Sequence, residues 1–296
     1  MDITPFLLGT VMAFSFGTSD FLSKGVTGKI GPYRTTVYIL TISGLGALLP
    51  ALVLKSSLGI STFFALVLVL IATTTFLSFA SLYRAYNRGM LSLTAPIVNS
   101  FPAFSVLISL VFFGVTFSFG AILALAVIIV GIVLVSTSLS DLRRRISSRR
   151  QPLSPGVGSA FLASVFFGVS WAAFGYATQH IGYVLPAIAV RLGGAAVGVA
   201  LIPVIKPRFP QPSGGWVRTV LVMALLETVG LVIFSLGVTI APSPSTIPIL
   251  ATFGGISAAF TVSYAIVLLK ERLEINHVVG VILLIAGVVT LLYLTS

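Results

Sequence analysis

Long runs of apolar residues, uninterrupted by charge, constrain this chain more than any other feature of its sequence. One of them, at 121–135, reads AILALAVIIVGIVLV. A helix needs about 20 apolar residues to cross the hydrocarbon core of a bilayer. A membrane β-barrel would instead alternate apolar and polar residues in runs of about ten. The runs are longer and do not alternate, so they predict membrane-spanning helices, in which every backbone group is hydrogen-bonded internally.

Ten apolar stretches of this kind lie along the 296 residues, separated by short loops. Their approximate bounds are 5–27, 32–54, 62–83, 90–113, 117–137, 156–178, 183–205, 216–239, 244–269 and 275–295. Charged residues make up 8% of the chain, whereas a soluble domain carries about 25%. The sequence therefore predicts an all-α membrane protein with ten transmembrane helices, and it excludes a soluble enzyme or a disordered chain.

The basic residues are distributed unequally between the two sets of loops. One set carries only Lys55. The other set carries fourteen basic residues: Lys29, Arg34, Arg84, Arg88, Arg143, Arg144, Arg145, Arg149, Arg150, Lys206, Arg208, Arg218, Lys270 and Arg272. Because Lys and Arg concentrate in cytoplasmic loops, this bias predicts a multi-pass protein of the cell membrane, with both termini outside and the loop 138–155 in the cytoplasm. The same bias explains the net charge of +11, so nucleic acid is not an expected partner.

The two halves of the chain resemble each other. The segment FSFGTS at 14–19 resembles VFFGVS at 165–170, and TAPIVNSF at 94–101 resembles TIPILATF at 246–253. The offsets are 151 and 152 residues, and the order is shared. Each half then holds five spans, and an odd number makes the second half enter the membrane from the opposite side. The pattern predicts two inverted five-helix repeats, 1–137 and 156–296, joined by 138–155, an arrangement found in many secondary transporters.

Short motifs recur at defined places within these spans. Phe16-Gly17 in the first span is followed by Lys24, seven residues after the glycine, and Arg191 lies early in the seventh span. Glu271 follows the ninth span and precedes a glycine-rich tenth span. With these motifs and its five-plus-five layout, the chain resembles the drug/metabolite transporter superfamily, in its ten-helix EamA branch.

The resemblance covers nearly the whole chain, with local departures. Phe16 stands where the family typically has Trp, and Gly114-Val115-Thr116 stands where the first half would have its own Glu. The resemblance implies a central cavity lined mainly by helices 1, 3, 4, 6, 8 and 9. It also implies solute transport, often export of amino acids or other metabolites, without identifying the solute.

Four ionisable residues lie inside predicted spans, where an unpaired charge costs several kcal/mol and usually marks a functional site. They are Asp20, Lys24, Arg191 and Glu227. Asp20 and Lys24 are four residues apart on one helix, so they are expected to pair, with Lys24 also able to extend to the cytoplasmic surface. Two interpretations stay open for this pair, a structural one and a role in ion or proton coupling.

Arg191 and Glu227 are predicted to lie at similar depths on consecutive spans. Arg191 is about eight residues into its helix from outside and Glu227 about eleven from the cytoplasm, or about 12 Å and 16 Å at 1.5 Å per residue. They are expected to form an ion pair beside the cavity. The pair either locks two helices together or acts in transport, with Arg191 attracting a substrate carboxylate or Glu227 taking up a proton.

Polar residues near mid-membrane are further candidates for substrate binding. Asn99 lies between Pro96 and Pro102, which remove backbone donors and kink a helix. Ser19 and Ser170 occupy matched positions in the repeats. The alternative interpretations are a hydrogen bond between helices for Asn99 and close helix packing for the serines.

Aromatic residues are candidates for the wall of an apolar cavity, although rings in spans also face lipid or anchor at the interface. They are Tyr83, Trp171, Tyr176 and Tyr264. A Ser- and Pro-rich segment at the start of the ninth span predicts an irregular helix start. It contains Pro242, Ser243, Pro244, Ser245, Thr246 and Pro248.

Several catalytic signals are missing from the sequence. It has no GxxxxGK[ST] phosphate loop, no GxSxG nucleophile motif and no cysteine, and His180 and His277 are isolated. These observations argue against an ATPase, a metal site, a cofactor or any other enzyme activity. The leading hypothesis is a secondary transporter that moves small metabolites, most simply amino acids, by alternating access and in the export direction.

Other functions stay open at this stage. A lipophilic-cation or drug exporter would use Glu227 or Asp20 as the counter-charge, whereas an intramembrane enzyme would need an acid–base or metal cluster. A membrane scaffold or receptor is disfavoured, because an inverted repeat serves access from two sides. The expected partners are a small solute and the lipid bilayer, and the sequence is compatible with a monomer.

Overall fold

The computed structural model describes most of the chain. The described residues are 4–53, 60–112, 118–136, 155–209, 211, 214–240, 246–271, 274–276, 278–280, 282–283, 286–287 and 290. Within these ranges all regular structure is helical, and no strand is present. The basic segment 138–154 and the residues Pro242, Ser243, Pro244 and Ser245 lie outside the described residues.

Six helices lie within the described residues of the first half. They are α1 (Thr4–Ile30), α2 (Pro32–Val53), α3 (Thr62–Arg88), α4 (Leu91–Val98), α5 (Phe101–Phe112) and α6 (Phe119–Ser136). Gly31 has a φ of 85°, a conformation that glycine adopts without steric cost. It ends α1, and Pro32 opens α2 at the position where its missing N–H costs nothing. Ser61 caps α3 by accepting a hydrogen bond from the backbone N–H of Phe64 at 3.4 Å.

The second half begins at Gly156, whose φ of 88° turns the chain into its first helix. The helices are α7 (Val157–Ile181), α8 (Val184–Ile188), the π-helix Ala189–Gly193, α9 (Gly194–Ala200), α10 (Ile202–Ile205), α11 (Gly214–Ile240) and α12 (Thr246–Leu269). Described residues between 275 and 290 are also helical. A π-helical turn therefore lies inside one predicted span of this half.

Two predicted spans are not single helices. The stretch 90–113 breaks at Asn99 and Ser100 between α4 and α5. Pro102 has no N–H to offer the Val98 carbonyl, so the regular ladder cannot continue across this point. The stretch 183–205 is divided among α8, the π-helix, α9 and α10, and nothing in the hydrophobic pattern predicts the wider π-turn.

Three helices in the described part of the chain are long and apolar enough to cross a membrane, namely Thr62–Arg88, Val157–Ile181 and Gly214–Phe234. Shorter apolar helices are Phe119–Gly131, Val184–Ala200 and Ile256–Leu269. Large apolar side chains also point outward, with Leu66, Phe119 and Val267 exposing 66%, 82% and 71% of their surface. An extensive apolar exterior suits lipid rather than water. The all-α membrane class is therefore confirmed, and the count of ten spans stays a prediction.

Two glycines at matched repeat positions make matching contacts. A Cβ on Gly17 of α1 would lie 2.5 Å from the Ser257 carbonyl oxygen of α12. A Cβ on Gly168 of α7 would collide with Phe104 and lie 3.1 Å from the Ser105 nitrogen of α5. The first helix of each half thus approaches the fourth span of the other half. This reciprocity is the pattern that an inverted repeat predicts, and the rotation that relates the halves stays a prediction.

Candidate functional site

A cavity lies between the two halves. Its walls come from α1, α3, α4, α5, α7, α11 and α12, and from the π-helix. Six aromatic side chains line it: Phe16, Phe79, Phe101, Phe167, Trp171 and Phe174. Seven polar or charged residues also line it: Asp20, Thr75, Asn99, Ser170, Arg191, Glu227 and Ser257. The cavity therefore combines a large aromatic surface with a few charges, as small-molecule sites typically do.

Arg191 and Glu227 form an ion pair in the cavity wall. The Nη2 atom of Arg191 lies 2.9 Å from Oε2 of Glu227 and 3.3 Å from its carbonyl oxygen. The residues expose 2% and 4% of their surface, and the guanidinium carbon stands 5.2 Å from the centre of the Phe79 ring. The expected approach of these two residues is thus found. Nε and Nη1 of Arg191 are buried and have no hydrogen-bond partner among the described residues.

Asp20 has a different environment from Glu227. Its Oδ2 accepts a hydrogen bond from the Tyr86 hydroxyl at 2.9 Å, and the carboxylate also lies near the Asn99 amide. The direct pair that the four-residue spacing predicts between Asp20 and Lys24 is wrong. Lys24 Nζ donates instead to the carbonyls of Gly89 at 2.6 Å and Tyr86 at 3.3 Å. The reason is that the C-terminal turn of α3 offers carbonyls without helical partners, at the negative end of the helix dipole.

Asn99 and Ser170 line the cavity while also joining helices. Asn99 Oδ1 accepts from the Ser257 hydroxyl at 2.9 Å, and its Nδ2 donates to the Ala95 carbonyl at 2.9 Å. The hydroxyls of Ser170 and Thr75 lie 2.6 Å apart. Asn99 therefore holds α4 against α12, as expected if it forms a hydrogen bond between helices. It also lines the cavity, which a role in substrate binding requires.

Five sequence-predicted candidates do not line the cavity: Lys24, Ser19, Tyr83, Tyr176 and Tyr264. Tyr176 packs against the Phe64 ring, and the Tyr264 hydroxyl lies 3.3 Å from that of Thr18. Ser19 and Tyr83 are buried, and their hydroxyls have no partner within the part of the chain that the structure describes. Adjacent residues on a helix point about 100° apart, which explains why Asp20 faces the cavity and Ser19 does not.

Among the aromatic and polar residues of the lining, the sequence reasoning missed seven, and five of these are aromatic. They are Phe16, Phe79, Phe101, Phe167, Phe174, Thr75 and Ser257. The repeat offset is a signal that identifies two of them. Phe16 and Phe167 are 151 residues apart, and Thr75 lies 152 residues before Glu227. Applying the offset to every candidate, rather than to short motifs alone, would have pointed to positions in both halves.

Comparison with known proteins agrees with this architecture. A sequence model of the EamA-like transporter family matches residues 4–137 and 154–293. None of the curated proteins compared with the chain matches it. Sixteen chains of solved structures match.

One solved structure, titled only as a crystal structure of a protein, is 15% identical and covers 98% of this chain and 96% of its own, with a TM-score of 0.66. At that identity the likeness shows the fold alone. The two family matches correspond to the two predicted repeats and together cover nearly the whole sequence. This chain therefore belongs to the EamA-like transporter family.

Proposed function

We propose that the protein exports small zwitterionic metabolites, amino acids or closely related solutes, across the cell membrane by alternating access. The observation that supports the proposal is that two charged side chains lining one cavity each have capacity for a further partner. Arg191 has two buried nitrogens without partners, and the carboxylate of Asp20 receives a tyrosine hydroxyl rather than a cation. A zwitterion carries a carboxylate that Arg191 can bind and an ammonium group that Asp20 can bind.

The chemistry of binding follows from these groups. A guanidinium presents its donors in a planar fork that suits a carboxylate, and Nε and Nη1 are the donors that Glu227 leaves unused. An ammonium group is attracted to the Asp20 carboxylate. The remainder of the solute would contact the aromatic wall, where rings give large apolar contact area and accept a nearby cation at their faces.

The transport cycle that we propose uses the two repeats as rocking halves around this cavity. The reciprocal contacts of Gly17 and Gly168 support such a cycle, because equivalent packing in both halves lets equivalent conformations open either side. The basic loops then face the cytoplasm, and the solute gradient or a proton at Asp20 or Glu227 drives movement.

Uptake into liposomes tests the proposal directly. Purified protein is reconstituted, and a panel of radiolabelled amino acids, organic anions and lipophilic cations is offered with and without a pH gradient. We expect saturable movement of zwitterions, which Asp20→Asn abolishes. Lys29→Met serves as a control, because Lys29 is exposed and away from the cavity. Transport of none of the zwitterions would refute the assignment.

A lipophilic cation is the second candidate substrate. The specific observation in its favour is that Asp20 has no cationic side chain as a partner among the described residues, while six aromatic rings line the same cavity. The two candidates differ in their need for Arg191. Neutralising the Arg191–Glu227 pair abolishes transport of a zwitterion, whereas a lipophilic cation held by Asp20 and the rings is still transported.

A further inference from the structure

Two charged side chains from other helices hold the turn between α3 and α4. Lys24 of α1 donates to the Gly89 carbonyl at 2.6 Å. Glu271, just beyond α12, accepts from the backbone N–H of Ser92 at 2.9 Å and of Leu91 at 3.3 Å. Because the carbonyl end of a helix is negative and its amide end is positive, each charge sits at the end of opposite sign. We call this arrangement of Lys24 and Glu271 on the turn the ionic clamp.

The clamp replaces caps that the local sequence does not provide. Met90 precedes α4 and makes no side-chain capping bond, so the free amides of the first turn are satisfied by Glu271. The start of α7 also packs against the turn. A Cβ on Gly89 would lie 2.7 Å from the Pro155 carbonyl oxygen, and one on Gly156 would lie 2.7 Å from the Ala85 carbonyl oxygen. Segments of both halves therefore converge at this single point.

Two tyrosines separate the ionic clamp from the cavity. Tyr83 and Tyr86 expose 1% and 0% of their surface, while Asp20 and Leu82 already line the cavity. Lys24 lies one helical turn beyond Asp20, about 6 Å along α1. Tyr86 links the two layers, because its hydroxyl donates to Asp20 and its carbonyl accepts from Lys24. Two buried tyrosines, followed by the ionic clamp, thus lie beyond the cavity lining at this end of α1 and α3.

The opposite end of the bundle has no equivalent clamp by sequence. The residue 151 positions after Lys24 is Gly175, and Gly114-Val115-Thr116 stands where the first half would have its own counterpart of Glu271. Neither carries a charge, so the repeat symmetry is broken at this feature. The end that carries Lys24 and Glu271 also carries Arg84 and Arg88 and is called the basic end below.

We propose that Lys24 and Glu271 form a gate that must release the α3–α4 turn before the cavity opens to the basic end. They act as positioning residues and do not contact the solute. At the opposite end the matching positions carry no charge, so we expect the two openings of the cycle to differ in the contacts that must be broken. The proposal rests on the alternating access proposed above, and its test needs no knowledge of the solute.

Accessibility of a single cysteine tests the gate. The chain has no native cysteine, so Val190→Cys, at a half-buried position in the cavity wall, is the only thiol in the protein. A membrane-impermeant maleimide is applied to each face of proteoliposomes, and a separate variant with a cysteine at Ser147 identifies the face of the basic end. We expect slow labelling from that face. Lys24→Met and Glu271→Gln should each accelerate it at least fivefold, whereas Lys24→Arg and Lys29→Met leave it unchanged.

The outcomes separate the gate from the transport function. Unchanged labelling in both Lys24→Met and Glu271→Gln overturns the gate, whatever the uptake assay shows. Accelerated labelling in a protein that transports no solute of the panel supports the gate and refutes the substrate assignment. If Lys24→Met does not fold, as judged by size-exclusion chromatography, Glu271→Gln decides alone, because it retains the size of the native side chain.

Discussion

Two buried carboxylates face the same cavity but have different partners. Glu227 is paired with Arg191 at 2.9 Å, so its charge is balanced within the protein. Asp20 receives a hydrogen bond from Tyr86, while Lys24, the nearest basic residue along α1, is directed to the carbonyls of α3. A buried ion pair is costly to break, whereas a carboxylate without a cation is ready to receive one. Under the proposed function, Glu227 would hold Arg191 in place and Asp20 would bind the positive charge of the solute.

The largest expected effect comes from removing one partner of the Arg191–Glu227 ion pair. Arg191→Ala leaves Glu227 buried without its cation, which typically costs about 3–5 kcal/mol. We expect a strongly lowered thermal unfolding temperature in detergent, measured by light scattering and tryptophan fluorescence. Arg218→Ala is the control for loss of an arginine, because Arg218 is exposed near the start of α11 and lines no part of the cavity. Equal stability of the two variants would contradict a structural role for the pair.

Neutralising both partners sharpens the distinction between stability and function. In Arg191→Gln/Glu227→Gln, no buried charge is left without a partner, so most of the lost stability should return. Uptake of zwitterions should remain at the background level, because the fork of Arg191 is gone. Thermal unfolding and liposome uptake are measured on the same preparation. Full uptake by a stable double variant would remove the pair from solute binding and leave it a purely structural role.

The substitution Asp20→Asn tests whether the Asp20 carboxylate binds the charge of the solute. The amide still accepts the Tyr86 hydroxyl, and the cost of burying a charge disappears, so the free energy of unfolding should change by less than about 1 kcal/mol. Uptake should fall at least tenfold, because the amide does not attract a cation. A stable Asp20→Asn protein with normal uptake would show that the unpaired carboxylate is not the site of the solute charge.

The sequence predicted the partner of Glu227 better than it predicted the surroundings of Asp20. Depth along consecutive spans was sufficient to bring Arg191 and Glu227 together, because both lie on helices and 1.5 Å per residue fixes their height. Spacing along α1 gave the wrong partner for Lys24. The competing acceptors belong to the C-terminal turn of α3, 62 and 65 residues away, and a pattern on one helix contains no information about them.

The helical architecture was predicted in part. Apolar runs and the repeat predicted the all-α class and the two family-matched halves, and the prolines beside Asn99 predicted a disrupted fourth span. The π-helix around Arg191 was not predicted, because a wider turn changes hydrogen-bond register without changing composition. The aromatic wall was predicted only at Trp171, since a phenylalanine in an apolar span has the same hydrophobic signal whether it faces lipid or a cavity.

The smallest expected effects come from Tyr83 and Tyr86, two buried tyrosines beyond the cavity lining. The same substitution to Phe can be made and compared at both. Tyr86→Phe removes a donor to Asp20 and should cost about 1.5–3 kcal/mol, the range for a hydrogen bond to a charged group. Tyr83→Phe removes a buried hydroxyl that has no partner among the described residues, so stability should stay constant or rise slightly, because an unsatisfied polar group is no longer buried.

Both substitutions keep the aromatic ring, so their difference isolates the hydroxyl groups. Tyr86→Phe should also weaken solute uptake by a few-fold, because Asp20 loses the donor that orients it, while Tyr83→Phe should transport normally. Thermal unfolding and initial uptake rates measure the two effects. Equal behaviour of the two variants would mean that the Tyr86 hydroxyl does not hold Asp20, and the contrast between the carboxylates would then depend on Arg191 alone.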